Sequence, residues 1–141
     1  YYDTFELVVS PGHPLADVKY TTVDKLKDVP FVMLTPDTLI RRFVDQMFRK
    51  YNIEPRIVME LSSSEEVKRM AEINMGAAIV SKLSVTEELK RGSLRLIKVS
   101  ELETTHPVGV VYKAGRYLSS AMKQFLSDLK GMPEDQFISS E

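Results

Sequence analysis

Three consecutive serines, Ser62, Ser63 and Ser64, are the residues of this 141-residue sequence whose type and spacing best suit ligand chemistry. Ser62 and Ser63 each have a glutamate three residues further on, which is the capping-box spacing at the start of a helix. Serine hydroxyls and free backbone N–H groups at such a start can hold a small anion. Capping alone explains the same serines without a ligand, so both interpretations stay open.

The segments around the serines predict a strand–helix–strand unit. Arg56 to Glu60 is extended and β-branched in character, and Gly76 suits the left-handed conformation that ends many helices. Ala77 to Val80 is a short apolar run typical of a buried parallel strand. Such a unit places the serines at the carboxyl end of a sheet, where α/β proteins bind small anions.

Strands and helices alternate along the rest of the chain. Predicted strands cover residues 5–9, 31–34, 94–99 and 107–112, a helix starts at Thr35–Thr38 with Pro36 or Asp37 in its first turn, and further helices follow at 84–89 and 118–129. Gly76 and Gly92 separate strands from helices, and a tail from residue 134 is expected to fray. This alternation predicts an α/β fold with a mostly parallel sheet flanked by helices.

The helix after Thr38 is the strongest in the sequence. Its apolar residues recur at helical spacing and favour core packing, with arginines on the other side: Leu39, Ile40, Phe43, Val44, Met47, Phe48 and Tyr51. By contrast, the apolar strands 5–9 and 107–112 join the middle through polar connections. They look like two crossing segments that lead to another lobe, most of which is absent.

Composition narrows the functional classes. The formal net charge is −1, from 19 basic and 20 acidic residues, and no basic stripe of the kind that binds nucleic acid is visible. With no cysteine, disulfides and thiolate metal sites are excluded. No apolar run approaches the roughly 18 residues of a membrane span, and no signal peptide is visible. We expect a single α/β domain in the cytoplasm, without membrane partners.

Residues suited to catalysis or metal binding do not group together. His13 and His106 each precede a proline in a predicted turn, with no carboxylate at metal-ligand spacing. No nucleophile elbow, phosphate loop or dinucleotide fingerprint is found. Glu60, at a strand's carboxyl end, is the best single acidic candidate, although a solvated or capping role explains it too. We therefore expect no enzyme activity, metal or cofactor.

The ordered set of segments resembles the effector-binding domain of bacterial LysR-type transcriptional regulators over nearly the whole chain. The resemblance is carried by residues 7–16 (LVVSPGHPLA), 26–32 (LKDVPFV), 42–48 (RFVDQMF), Glu60 with its serine turn, 75–80 (MGAAIV), 89–94 (LKRGSL) and the last helix. The sequence around Glu60 and Gly76 is most similar to the branch of the family related to regulators of carbon-fixation genes. This similarity points to a phosphorylated or carboxylated metabolite as the effector.

This resemblance implies a periplasmic-binding-protein-like (type II) domain of two Rossmann-like lobes joined by two crossing strands, with a small metabolite in the cleft between them. Residues 11–106 would form the second lobe, and residues 1–10 and 107–132 the crossing strands and closing helix of a partial first lobe. The family's DNA-binding region has no counterpart here. DNA is thus expected to be contacted only through a separate helix-turn-helix, in a homodimer or homotetramer of the full-length protein.

Carried over position by position, the resemblance implies a cleft lined by two turns and one strand end. The expected effector-binding residues are Thr35, Pro36, Thr38, Ser62, Ser63, Ser64, Ser81 and Lys82. Two helix starts would converge on a small anion, while Glu60 and Asp37 would repel it unless they accept hydrogen bonds from its hydroxyls. The alternative is a transport-associated solute-binding protein of the same two-lobed type, which a signal peptide upstream in the gene would indicate.

Overall fold

The computed structural model describes residues 2–115 and 117–131. Its strands β1 to β7 are Tyr2–Val9, Tyr20–Thr21, Pro30–Leu34, Arg56–Leu61, Ala78–Ser81, Arg95–Val99 and Thr105–Pro107. The α-helices α1 to α4 are Leu39–Lys50, Ser64–Glu72, Thr86–Arg91 and Ser120–Gly131, and short 3-10 helices cover Val23–Leu26, Leu83–Val85 and Ser100–Leu102. The tail from residue 134 lies outside the described residues.

The chain divides into two compact units. Residues Asp3–His106 form the larger unit and contain most of the strands with α1, α2 and α3; the remainder contains α4. The predicted strand at 107–112 is wrong, because residues 108–112 pair with no strand of the described chain, and β7 lies earlier, at Thr105–Pro107. The predicted last helix is confirmed as α4.

The sheet of the larger unit is mixed. Strand β1 lies between β5 and β6 and is antiparallel to both, with Leu7 opposite Ile79 on one side and Ile97 on the other. Strand β2 is parallel to β6, and β3 is parallel to β4. A parallel bridge between Phe31 and Ala77 brings β3 beside the start of β5. Alternation of strands and helices had predicted the parallel pairs, and β1 is the antiparallel exception.

Two apolar clusters fill the space between the strands and the helices. Alternating residues of β3 enter different clusters: Phe31 and Met33 pack with α1, while Val32 and Leu34 pack with α2. The middle of the predicted α1 stripe is buried, at Val44, Met47 and Phe48. Its ends are not, since Leu39 is 69% and Tyr51 42% exposed. Of the described helices, none is long and apolar enough to cross a bilayer.

Gly76 serves a different purpose from the one predicted. The left-handed residue after α2 is Asn74, with φ 64°, whereas Gly76 lies against the backbone of β3. A Cβ atom at Gly76 would stand 2.7 Å from the Pro30 carbonyl oxygen. The neighbouring Ala77 N–H donates to that same oxygen at 2.8 Å. Glycine is therefore required by the close approach of two backbones rather than by its conformation.

Candidate functional site

The two predicted turns begin at the same edge of the sheet. Strands β3 and β4 are parallel, and after a register shift between Phe31 and Val32 they pair up to Leu34 opposite Leu61. The N–H of Thr35 donates to the Leu61 carbonyl at 3.0 Å. Because both strands end at this point, the turn after β3 and the serine turn from Ser62 start next to each other. We call this the carboxyl edge, comprising residues 35–38, 62–64 and 81–82.

Thr38 is the N-cap of α1, so the helix begins at Leu39, later than predicted. Its hydroxyl donates to the Thr35 carbonyl at 3.0 Å and accepts from the Arg41 N–H at 3.3 Å. Pro36 precedes the helix in an exposed turn, where its fixed φ suits the second position. The extended backbone of Thr38 separates that turn from the helix.

Ser63 is the N-cap of α2, and its Oγ accepts from the Glu65 N–H at 3.2 Å. The predicted capping is confirmed, whereas ligand binding at this turn stays a prediction. Within residues 2–115 and 117–131, the hydroxyls of Ser62 and Ser64 make no hydrogen bond to another side chain or carbonyl. Serine hydroxyls and helix N–H groups are thus available at the start of α2.

The end of β5 also lies at the carboxyl edge. Strand β1 runs antiparallel to β5, with Phe5 opposite Ser81, so the first residues of β1 reach this edge. The Lys82 N–H donates to the Thr4 carbonyl at 2.9 Å, and the Ser81 hydroxyl donates to the Asp3 carboxylate. Asp3 is only 8% exposed. Sequence reasoning missed it, because only the register of β1 against β5 brings it to Ser81.

Arg41 was expected on the exposed face of α1, and this expectation is wrong, since the residue is 8% exposed. Its Nε donates to Asp45 at 2.8 Å, and its Nη1 donates to the Leu34 carbonyl at 2.9 Å and to the Glu60 carboxylate. Burial alone lowers the pKa of Arg41, but the hydrogen bonds to Glu60 and Asp45 outweigh it and raise the pKa. Glu60 is therefore an ion-pair partner rather than a free acid.

Asp37 is exposed in the turn after β3. Two hydrogen bonds lower the pKa of Asp37. The larger effect comes from the Thr35 side chain and the smaller one from the backbone of Asp37 itself. Its carboxylate is therefore charged at neutral pH and stands beside the expected anion site. Together with Asp3 and Glu60, it places negative charge at this edge. The N-termini of α1 and α2 place partial positive charge there.

Both histidines pack or hydrogen-bond within the larger unit. His13 is buried, its Nδ1 accepts from the Leu15 N–H at 3.1 Å, and burial lowers its pKa. The His106 ring stacks on Phe5 with centroids 4.2 Å apart and meets Phe43 edge-on at 4.7 Å. Among the described residues, no three potential metal ligands come together.

Two surface pockets of the larger unit lie elsewhere. A pocket of about 490 Å³ is lined by the second half of α1 and the loop after β6, through Phe43, Gln46, Met47, Lys50, Tyr51, Ser100, Glu101 and Thr104. A smaller one, about 330 Å³, lies between α1 and the start of β4. Neither contains any of the eight expected effector-binding residues. The residues of the carboxyl edge are exposed or half-buried.

A mixed α/β unit with two capped helix starts at one sheet edge fits the predicted periplasmic-binding-protein-like fold class. Residues 1–132 match the family model for the LysR substrate binding domain, which covers well over half of the chain. The chain therefore belongs to the LysR substrate-binding domain family, as the ordered sequence segments indicated.

Curated proteins similar to this chain are named as probable transcriptional regulators. The chain is 26% identical over 136 residues to a probable RuBisCO transcriptional regulator of Phaeodactylum tricornutum, covering 94% of this chain and 44% of that protein. It is 27% identical over 130 residues to one of Synechocystis, covering 90% of this chain and 38% of that protein. The chain thus spans less than half the length of these relatives, which are named as transcriptional regulators rather than transport proteins.

Solved structures show the same fold. The regulatory domain of Synechocystis CcmR in complex with 2-PG superposes with a TM-score of 0.78 at 23% identity, over 94% of this chain and 65% of that one. The effector-binding domain of QuiR in complex with shikimate gives a TM-score of 0.77 at 20% identity, over 89% and 59%. The predicted fold class is confirmed by these matches.

Proposed function

We propose that this chain is the effector-sensing domain of a LysR-type transcriptional regulator and binds a small anionic metabolite at the carboxyl edge. The observation that carries the proposal is the hydrogen bond from the Thr35 N–H to the Leu61 carbonyl. It joins the ends of β3 and β4, so the turn after β3 and the serine turn start next to each other. The Thr38 and Ser63 caps then begin α1 and α2 within a few residues of where these turns start. Two helix starts supply partial positive charge and directed N–H groups to one anion.

In this proposal, Ser62, Ser63 and Ser64 bind the charged group through hydroxyl and N–H donors. Thr35, Pro36 and Thr38 form the facing wall, and Ser81 with Lys82 forms the third side. Lys82 is the exposed cation of this set and adds long-range attraction. The family and the shikimate and 2-PG complexes of the structural neighbours support a small acid as the ligand class.

We assign residues 11–106 to the second lobe of the family's two-lobed domain, and residues 1–10 and 107–132 to crossing segments and closing helix. The effector would alter how a separate helix-turn-helix of the full-length protein engages DNA. That protein would act in the cytoplasm as a dimer or tetramer, and this domain would catalyse no reaction. These assignments rest on the resemblance to the family.

The site can be tested with Ser63→Asp. Aspartate is as good an N-cap as serine, so α2 and the unfolding free energy should be preserved within about 0.5 kcal/mol. The new carboxylate would occupy the anion position and repel the ligand. We expect the thermal stabilisation of the gene's full-length product by phosphorylated and carboxylated metabolites to be lost in this variant.

The matched control is Ser119→Asp, because the Ser119 Oγ caps α4 by accepting from the Met122 N–H at 3.2 Å. The same substitution at a capping serine of the other compact unit should leave ligand stabilisation unchanged. If no anion stabilises the wild-type protein, or if Ser63→Asp responds as the wild type does, the site is wrong.

A further inference from the structure

The hydrogen bonds at the carboxyl edge fix the direction in which several hydroxyl protons point. The Thr38 hydroxyl faces the Thr35 carbonyl, and a carbonyl oxygen can only accept, so Thr38 is the donor. The Ser81 hydroxyl donates to the Asp3 carboxylate. Both protons are therefore already used inside the protein.

These two hydroxyls can offer only lone pairs to a ligand. One lone pair of the Thr38 hydroxyl already accepts from the Arg41 N–H at 3.3 Å. The Ser81 hydroxyl oxygen lies beside the Asp3 carboxylate. Asp3 itself accepts from the Thr4 N–H at 2.8 Å through its other oxygen. The Thr38 and Ser81 hydroxyls thus present acceptors at the ends of β3 and β5. At the start of α2, by contrast, Ser62 and Ser64 keep their protons for a ligand.

Charge strengthens this division. At the β3 side, the Arg41 guanidinium binds both Asp45 and Glu60, so one positive charge faces two negative ones. The Glu60 side chain is 43% exposed, so it is partly open to the surface. An anion that brought only acceptor atoms to this side would meet acceptors and net negative charge. A ligand that brings a hydroxyl donor would satisfy them.

We infer that the effector is a hydroxylated anion, with its acidic group at the Ser62–Ser64 turn and a hydroxyl donated to Ser81 and its neighbouring acceptors. This inference rests on the proposed function and narrows it to one ligand class. Asp3 acts as a positioning residue, because it turns the Ser81 proton away from the ligand. Ser81 becomes the specificity-determining acceptor.

The test compares acids that differ only in hydroxyl groups. sn-Glycerol 3-phosphate is paired with n-propyl phosphate, and D-glycerate with propionate, so that the phosphate and carboxylate arms separate the two possible acidic groups. Affinities are measured by calorimetry on the gene's full-length product. In at least one pair, the hydroxylated acid should bind about tenfold more tightly, as expected when a site's acceptors are otherwise left unpaired.

Ser81→Ala should reduce that preference to less than about threefold. Asp3→Asn should also weaken the preference, because an amide can donate to the Ser81 oxygen and occupy its lone pair. The control is Ser93→Ala: Ser93 also donates to a carboxylate, that of Glu72, but at the opposite edge, where β6 begins. It should keep the wild-type preference.

The outcomes separate the two proposals. If no acid of either pair binds, the proposed anion site fails, and the ligand class fails with it. If both members of each pair bind equally well, or if Ser81→Ala keeps the full preference, the proposed function stands and the assignment of a hydroxylated ligand is overturned.

Discussion

The Arg41 guanidinium donates to the Glu60 carboxylate and thereby joins the first turns of α1 to the end of β4. The same group holds the Leu34 carbonyl and Asp45. Arg41→Met keeps the aliphatic stem but leaves these acceptors unpaired, and Glu60 is partly screened by solvent. We expect a loss of about 2 kcal/mol in the free energy of unfolding, measured by urea denaturation.

The adjacent Arg42 provides the control for this prediction. It is exposed, and within the described residues its side chain makes one hydrogen bond, to the Asp37 carbonyl, which is long at 3.5 Å. Arg42→Met should change the unfolding free energy by less than about 0.5 kcal/mol. Equal effects of the two substitutions would show that the buried arginine does not hold this edge together.

Removal of the α1 cap should destabilise the protein without disturbing the core. Thr38→Val is nearly isosteric but loses the acceptor for the Arg41 N–H and the donor to the Thr35 carbonyl. We expect a cost of about 1 kcal/mol in chemical denaturation, whereas Thr38→Ser, which keeps the hydroxyl, should cost less than half as much. A serine variant as unstable as the valine variant would assign the effect to the lost methyl group.

Gly76 should tolerate no side chain. Gly76→Ala would place a methyl group 2.7 Å from the Pro30 carbonyl oxygen, a backbone atom that cannot rotate away. Strand β3 and the start of β5 would have to separate, which should cost about 2 kcal/mol in unfolding free energy. Gly109→Ala is the control and should be nearly neutral, because no atom of the described residues beyond its chain neighbours would lie within 4 Å of the added Cβ. A neutral Gly76→Ala would contradict the close backbone approach.

His13 should make stability depend on pH near neutrality. Burial lowers the pKa of folded His13 below its ordinary 6.5, so the unfolded chain binds the proton more tightly. The contribution of neutral His13 is fully present above pH 6.5 and is lost as the pH falls from there through the folded pKa. His13→Asn keeps an acceptor for the Leu15 N–H but cannot titrate. Denaturation at several pH values should show a shallower acid limb for His13→Asn; identical limbs would exclude His13 as the cause.

The sequence predicts much of this fold because its signals are local. The apolar run at Phe31 to Leu34, the helix α1 and the Ser63 cap each depend on a few neighbouring residues, and the structure confirms all three, although only the middle of the α1 stripe is buried. The start of α1 was misplaced because Pro36 and Asp37 suit a turn as well as a first helical turn. Residues 108–112 look like a strand but lack a partner among the described residues.

The features that sequence could not predict depend on register between distant segments. Asp3 reaches Ser81 only because β1 is antiparallel to β5, and no local signal announces that pairing. Arg41 is buried because the ends of β3 and β4 supply acceptors for it, although its residue type predicts exposure. Gly76 is fixed by the Pro30 carbonyl, which lies 46 positions away in the chain.

The most direct test of the central claim is amide NMR of this chain during titration with sn-glycerol 3-phosphate. Because both turns start at one edge, binding should shift the amide resonances of Thr35, Asp37, Thr38 and residues 62–64 together, with one shared dissociation constant. Shifts confined to one turn, or centred on the pocket along the second half of α1, would contradict a shared anion site at the carboxyl edge.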